Sequence, residues 1–322
     1  MKLLLTGAGG FLGRATLAEA EARGHEVRAL TRADGDLAEG LPPGALDGID
    51  AVLHCAAALD GSRAARDTVQ ATLALLRALD GHPARMVLAG SIAVYAPPPP
   101  RPAAPPAPEA GPLSAEVAAA PRAASARLAA QRRRALPLID ETAPLDPAPR
   151  SRDAYMRAKL AQEEVVRAEA EASGRGATIL RIGALTGPGR SWNAHLGPRL
   201  GPVSLTPASP GEVPLVHVED AALALVLAAE RAAPGIETFN VVAGDLPSRR
   251  QLARALGALP LPLPWRLLAA LAPPLGRIPK LGPRLPGLLR RATLRARFAP
   301  ARYPNDALRA TGWAPAHGWE PQ

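Results

Sequence analysis

The chain has 322 residues and a formal net charge of +9, with 48% hydrophobic and only 3% aromatic residues. A chain of this length can bury a sizeable core unaided, and its one cysteine, Cys55, excludes a disulfide framework and the usual cysteine-based metal sites. Because no apolar stretch reaches about 18 residues and the first ten residues lack the features of a signal peptide, we expect a cytoplasmic protein without a membrane span.

Short apolar runs alternate with longer helical patterns along most of the chain, as is typical of strand-helix-strand units around a parallel sheet. The pattern predicts strands over residues 2–6, 26–31, 51–55, 85–89, 177–182 and 237–242. It predicts helices over residues 11–23, 69–79, 153–172 and 218–231. Residues 37–48 are rich in helix and strand breakers, so we expect the strand and helix of that unit to be abbreviated or missing.

Residues 97–137 interrupt this alternation. Nine prolines lie between Pro97 and Pro112, and an Ala/Arg-rich stretch follows them. Proline at this density favours an extended, poorly packed conformation. We interpret the segment as an inserted surface loop, either a tolerated low-complexity excursion or a lid or partner-binding arm.

A glycine-rich turn, TGAGGFLG at residues 6–13, stands between the first predicted strand and the first predicted helix. Gly7 permits the tight turn, Gly10 lets the backbone approach a pyrophosphate, and Gly13 allows the helix to pack closely on the strand. The unpaired amides and positive end of the helix would hold the phosphates. The segment therefore predicts a dinucleotide site with the cofactor-binding residues Gly7, Gly10, Phe11, Leu12 and Gly13.

The residues after the second predicted strand bear on the choice of cofactor. A carboxylate there binds the ribose 2′-hydroxyl of NAD, whereas an arginine suits the extra phosphate of NADP. The chain has Arg32 first, with Asp34 and Asp36 beyond it. This order favours NADP over NAD, although Arg32 could instead be a solvated arginine at a strand end.

Three side chains form a candidate catalytic set. Tyr155 and Lys159 are four residues apart on a predicted helix, so both side chains lie on one face. A tyrosine needs a nearby positive charge to act as an acid or base near neutral pH, and Lys159 can supply it. Ser91 follows the apolar run RMVLAG, at the carboxyl end of a predicted strand, where ligands bind in open α/β sheets. Its hydroxyl could hydrogen-bond a substrate oxygen while Tyr155 transfers the proton.

Several segments in this order resemble the extended short-chain dehydrogenase/reductase superfamily, in its NAD-dependent epimerase/dehydratase group. They are TGAGGFLG at 6–13, DAVLHCAA at 50–57, GSIAVYA at 90–96, YMRAK at 155–159, LRIGALTGPG at 180–189, PLVHVEDAA at 214–222 and ETFNVVAG at 237–244. Together they cover nearly the whole chain. The resemblance implies an α/β fold with a Rossmann-type, doubly wound parallel sheet and a smaller C-terminal substrate-binding region.

The resemblance also implies roles for single residues. Ser91 would be the catalytic serine, Tyr155 the general acid/base, and Lys159 both the modulator of the tyrosine pKa and a ribose ligand. Ala56 and Ala57 would line the adenosine side of the cofactor groove. Three further residues of the matching segments are interpreted as architecture: His54, His217 and Asp220.

The sequence also departs from the family pattern. Thr68 stands where the family commonly has an asparagine, which puts a proton-relay role at that position in doubt. Ile92 and Ala93 follow Ser91 in place of the acidic pair that resembles sugar-nucleotide dehydratases, which argues against elimination chemistry.

We therefore predict a dinucleotide-binding domain over residues 1–185, to which the strand at 237–242 returns, and a mainly substrate-binding region over residues 186–322. The expected activity is hydride exchange between NADP or NAD and a carbonyl or secondary alcohol of a small-molecule substrate. A nucleotide-sugar epimerase is the alternative within this class. We expect no metal, and the paired long helices of the family allow a homodimer.

Two other classes of function remain open on the sequence. A non-catalytic dinucleotide sensor is expected to lose the tyrosine or the lysine, and this chain keeps both Tyr155 and Lys159. The arginines of the insertion and the tail could serve nucleic-acid or membrane association. Because clustered aromatic residues and a reader motif are missing from the sequence, we expect no nucleic-acid partner.

Overall fold

The computed structural model describes residues 1–58, 65–98, 135–197, 199–231, 233–267, 270 and 290–319. Residues 99–134 of the proposed insertion and residues 271–289 of the tail lie outside the described residues. The predictions of a lid or arm in the insertion therefore concern a part of the chain that the structure does not describe.

The six predicted strands are present close to their predicted positions, together with five further strands among the described residues. In chain order they are β1 (Lys2–Thr6), β2 (Glu26–Leu30), β3 (Ala51–His54), β4 (Arg85–Ser91), β5 (Ala177–Ile182), β6 (Ala184–Thr186), β7 (Arg199–Leu200), β8 (Val203–Ala208), β9 (Leu215–His217), β10 (Ile236–Val241) and β11 (Leu259–Pro264). Six of them form one parallel sheet in the order β10-β5-β4-β3-β1-β2. The α/β fold with a Rossmann-type parallel sheet is thereby confirmed.

The predicted helices are also present. In chain order the helices are α1 (Phe11–Ala22), α2 (Ala71–Ala78), α3 (Ala154–Ser173), α4 (Val218–Glu230), α5 (Arg249–Ala255), α6 (Arg291–Phe298) and α7 (Asp306–Arg309). A π-helical turn, Ala65–Gln70, leads into α2. Asp153 caps α3, because its Oδ1 accepts a hydrogen bond of 2.9 Å from the amide of Met156. None of the described helices is long and apolar enough to cross a membrane.

The connection from β2 to β3 is short of a full strand-helix unit. Residues 36–50 run through turns without a strand or a helix. Gly44 and Gly48 adopt φ values of 70° and 68°, in the left-handed region that favours glycine. The predicted abbreviation of this unit is confirmed, and β2 is consequently the edge strand of the sheet.

Both faces of the sheet are covered, as alternate residues of β1 show. Leu3 and Leu5 lie in a core cluster with residues of α1 and α4, such as Ala20 and Leu225. Leu4 lies in a second cluster with residues of α2 and α3, which include Leu75 and Val166. Side chains alternate between the faces of a strand, so β1 contributes to a core on each side.

The C-terminal region adds two small sheets beyond the end of the main sheet. One is formed by β11, β8 and β7, and the other by β6 and β9. The edge strand β11 was not predicted from its alternating leucines and prolines, and an edge is the position where a strand tolerates proline. The chain then returns to the main body, where the Trp313 indole is buried and donates a hydrogen bond of 2.9 Å to the carbonyl of Asp220.

Candidate active site and cofactor cleft

The glycine-rich turn is built as tightly as its spacing predicts. Gly7 follows β1 with φ of 73°, and a Cβ on it would lie 2.7 Å from the amide nitrogen of Ala56. A Cβ on Gly13, in the first turn of α1, would lie only 2.1 Å from the carbonyl oxygen of Gly7. Gly10 is less constrained, because its Cβ would lie 3.2 Å from the same oxygen. Glycine at 7 and 13 lets the start of α1 pack directly against the turn.

A cavity of about 780 Å³ opens beside this turn, along the carboxyl ends of β1, β2 and β3. Its lining comes from both sides of the point where the strand order reverses, the usual place for a ligand in a doubly wound sheet. The lining residues include Gly7, Gly10, Arg32, Cys55, Ala56 and Ala57. Phe11 and Leu12 continue from the turn into α1. A cleft of this size with a backbone cradle at one end fits an elongated dinucleotide.

Arginines and carboxylates both line the cavity near the end of β2, and each of these carboxylates already has a partner. Asp34 accepts hydrogen bonds of 2.8 Å from both the amide and the hydroxyl of Thr31, and these bonds lower the pKa of its carboxyl. Arg32 is 85% exposed and lies 3.6 Å from Asp67. Arg66, which also lines the cavity, pairs with Asp36. Arg66 lies in no recognisable sequence motif, and only the fold brings it to the same cavity as Arg32.

The structure brings Ser91, Tyr155 and Lys159 together at the carboxyl end of β4. Ser91 is the last residue of β4 and is buried, and its Oγ accepts a hydrogen bond of 3.2 Å from the amide of Ala93. Tyr155 lies in the first turn of α3, with the Ser91 hydroxyl near enough to lower the pKa of its phenol. Lys159, one turn further along α3, donates a hydrogen bond of 2.8 Å to the carbonyl of Ala89 in β4.

Burial dominates the protonation of this set. It raises the pKa of the Tyr155 phenol, and the negative charge of Asp153 adds to that shift, whereas the Ser91 hydroxyl and the positive charges of Arg297 and Arg190 oppose it. It lowers the pKa of Lys159 to about 8. Near neutral pH the tyrosine is therefore a phenol, which is the form that can donate a proton.

Two arginines from the C-terminal half approach the site. The Arg190 guanidinium lies 5.3 Å from the centre of the Phe11 ring, at the start of α1. Burial lowers the pKa of Arg297, which belongs to α6. Neither arginine lies in a motif that the sequence analysis used, and α6 reaches the site only through the tertiary fold.

Comparisons with known proteins agree with this architecture. The model of the NAD dependent epimerase/dehydratase family matches residues 3–135 and 123–242. The chain belongs to this family. No curated protein matches the sequence.

Solved structures of epimerase/dehydratase type share the fold over almost the whole chain. UDP-glucose 4-epimerase from Bifidobacterium longum, in complex with NAD+ and UDP, is 17% identical with a TM-score of 0.63, over 99% of this chain and 95% of that one. A human epimerase family protein with NADPH is 20% identical with a TM-score of 0.62, over 98% and 95% of the two chains. A short-chain dehydrogenase/reductase superfamily protein from Agrobacterium tumefaciens with bound NAD is 18% identical with a TM-score of 0.62, over 99% and 94%.

Residue 68, where this member of the epimerase/dehydratase family has threonine, has a structural contact. The Thr68 side chain is buried and its Oγ1 accepts a hydrogen bond of 3.0 Å from the amide of Ala58, in the segment after β3. This hydrogen bond thus fixes the segment after β3, in which Ala56 and Ala57 line the cofactor cleft. A proton-relay role for Thr68 has no support in this contact.

His217 and Asp220, in the family segment PLVHVEDAA, lie where the tail meets α4. The carboxylate of Asp220 accepts hydrogen bonds from the amides of Ala316 and His317, at 2.8 and 3.1 Å. The rings of His217 and His317 stack with centroids 4.1 Å apart and planes at 23°. Ligand atoms of these two histidines and Glu219 lie within 4.8 Å of one another. The contacts dock the tail, as the interpretation of these residues as architecture expects.

Proposed function

We propose that this protein is an oxidoreductase that exchanges hydride between NADP or NAD and a carbonyl or secondary alcohol. The observation that carries the proposal is the placement of Ser91 at the carboxyl end of β4 beside Tyr155 in the first turn of α3, with the Lys159 ammonium hydrogen-bonded to the same strand. In this proposal residues 1–185 bind the dinucleotide, residues 186–322 form most of the substrate site, and the homodimer stays a prediction.

In this proposal the protein's own residues transfer a proton to or from the substrate oxygen, and this proton transfer is coupled to the hydride transfer. The nicotinamide, when bound, supplies or accepts the hydride. The Tyr155 phenol donates a proton to the substrate oxygen in reduction, and Ser91 hydrogen-bonds the same oxygen. The raised pKa of Tyr155 keeps its proton available near neutral pH. In this proposal the positive charges of Arg297 and Arg190, together with the Lys159 ammonium one turn further along α3, stabilise the phenolate left by the transfer.

We further propose that NADP is preferred over NAD. Arg32 and Arg66 line the same end of the cavity, and two arginines can hold a ribose phosphate through charge-assisted hydrogen bonds. Asp34 is committed to Thr31 and is therefore a poor ligand for the ribose hydroxyl of NAD. The human neighbour with NADPH is consistent with this preference, whereas the bacterial neighbours were solved with NAD.

A nucleotide-sugar epimerase is the second candidate, because the neighbours include a UDP-glucose 4-epimerase in complex with NAD+ and UDP. An epimerase oxidises and re-reduces one hydroxyl while the dinucleotide stays bound. Net conversion of free NADPH with a carbonyl substrate would favour the reductase. Interconversion of nucleotide sugars without net NADPH consumption would favour the epimerase.

The test begins with titration of the purified protein with NADPH, NADP, NADH and NAD, followed by fluorescence or calorimetry. Micromolar binding that is lost in Gly10→Asp, where a carboxylate would repel the pyrophosphate, supports the dinucleotide site. Loss of the NADPH preference in Arg32→Ala would support the arginine assignment. Tyr155→Phe is expected to keep binding and abolish turnover of carbonyl substrates. Failure of all four dinucleotides to bind would refute the proposal.

A further inference from the structure

A continuous chain of buried hydrogen bonds runs from the candidate catalytic lysine to the end of β1. Lys159 Nζ donates to Gln162 Oε1 at 2.9 Å, and Gln162 Nε2 donates to Thr72 Oγ1 at 2.9 Å. The same Thr72 oxygen lies 2.8 Å from His54 Nε2, and His54 Nδ1 lies 2.6 Å from Thr6 Oγ1. The chain joins α3, α2, β3 and β1 behind the cofactor cleft.

The direction of every bond in this chain is determined. The Thr72 hydroxyl donates to the carbonyl of Thr68 at 2.7 Å, so its oxygen must accept from both Gln162 and His54. His54 consequently carries its proton on Nε2, and its Nδ1 accepts a hydrogen bond from the Thr6 hydroxyl. The Gln162 amide has one workable orientation, because the reversed amide would place its NH₂ group against the Lys159 ammonium.

Because Lys159 is buried, its ammonium group depends on these hydrogen bonds to replace those it would make with water. Gln162 is fully buried and Lys159 is 5% exposed. An ammonium has three donors and must find acceptors when it leaves water. Two acceptors are in place, the Ala89 carbonyl and Gln162 Oε1, and they leave one N–H for a ligand or for the side of Tyr155.

We propose that Gln162 is a positioning residue, which holds the Lys159 ammonium at the active site by accepting a hydrogen bond from it. Thr72 and His54 fix the amide of Gln162 in turn, so the placement of the charge is set by the core between α2 and α3 rather than by the cleft. The contact is independent of the proposed function; only its catalytic meaning rests on that function.

The titratable groups that face Lys159 are few. Tyr155 stands one turn before it on α3, and His54 and Cys55 face it from β3 and the residue that follows. Burial lowers the pKa of His54 to about 3 and raises that of Cys55 to about 12, so both are neutral near pH 7. No charge on β3 therefore competes with Gln162 in setting the protonation of the ammonium.

The test measures the ionisation of Lys159 directly. The chain has only three lysines, Lys2, Lys159 and Lys280, so ¹³C,¹⁵N-lysine labelling gives three side-chain signals, which Lys2→Arg and Lys280→Arg assign. The pKa of Lys159 is then read from a pH titration of the full-length protein by NMR. No dinucleotide or substrate is added, so failure of this proposal is distinguishable from failure of the proposed function.

Two substitutions at one position predict shifts of opposite sign. Gln162→Met keeps the length of the side chain but removes the hydrogen-bond acceptor. The pKa of Lys159 is therefore expected to fall by about one unit, since a hydrogen bond to a charged group is worth about tenfold or more in an equilibrium. Gln162→Glu keeps an acceptor and adds negative charge, so the pKa is expected to rise by about one unit or more. Gln251→Met, which removes a capping side chain on α5, is expected to leave it unchanged.

Opposite shifts in the two variants support the proposal, because mere loosening of the core would move the pKa in one direction in both. No shift in either variant, or shifts of the same sign, overturns it. If Gln162→Met does not fold, Gln162→Glu decides alone: a raised pKa supports the proposal, and an unchanged or lowered pKa overturns it.

Discussion

The buried imidazole of His54 makes acid stability a sharp test of the hydrogen-bonded core. His54 is fully buried between Thr6 and Thr72, and burial lowers its pKa from 6.5 to about 3. Between about pH 6.5 and pH 3, His54 is therefore protonated in the unfolded chain and neutral in the folded protein. Stability from this group is complete above pH 6.5 and is lost as the pH falls toward 3. Between about pH 7.5 and pH 4 the loss is about 3 kcal/mol.

The measurement compares urea unfolding of the wild type with His54→Gln and His54→Asn across this pH range. Neither amide titrates, and each can replace part of the hydrogen bonding of the ring. The variants are expected to be less stable than the wild type near pH 7.5, and the gap should shrink by about 3 kcal/mol near pH 4. Other carboxylates and histidines contribute to both proteins and cancel in the difference. A gap that is constant with pH would refute the buried, neutral state of His54.

Two further predictions concern close packing and buried charge. Gly13→Ala places a Cβ 2.1 Å from the Gly7 carbonyl, so NADPH binding is expected to weaken at least tenfold in a titration. Binding equal to that of the wild type would contradict the packing argument. Arg181 and Glu163 form a buried ion pair at 2.6 Å. Breaking it with either Arg181→Met or Glu163→Gln is expected to lower the free energy of unfolding in urea by about 3–5 kcal/mol. The double variant should lose less than the sum of the two single losses. Additive losses would show that the two side chains act independently.

Much of the fold could be predicted because its signals are local. The strands and helices of the main body follow from apolar periodicity, and their predicted ends agree with the structure to within a few residues. The glycine turn at 6–13 could also be predicted, because the close contact that requires glycine at 13 is with Gly7 in the same turn. The β11 strand was missed because alternating leucine and proline gives no ordinary strand signal.

Some residues of the candidate site could likewise be predicted from local sequence signals, whereas others could not. Ser91, Tyr155 and Lys159 could be proposed from the sequence, because a strand end and a helical spacing of four residues are each visible in a single segment. Their roles still await the experiments above. Arg66 beside Arg32, and Gln162 with Thr72 and His54, could not be proposed, because each partner comes from a different element.

The sequence by itself determined the alternation of strands and helices, the glycine turn and the positions of the three candidate catalytic residues. The tertiary structure alone decided the hydrogen-bond partners of Lys159, the commitment of Asp34 to Thr31, and the approach of Arg297 from the tail. The physical reason is that periodicity and backbone sterics act between neighbours in sequence. Burial and hydrogen bonding of charged groups depend on which segments the core brings together.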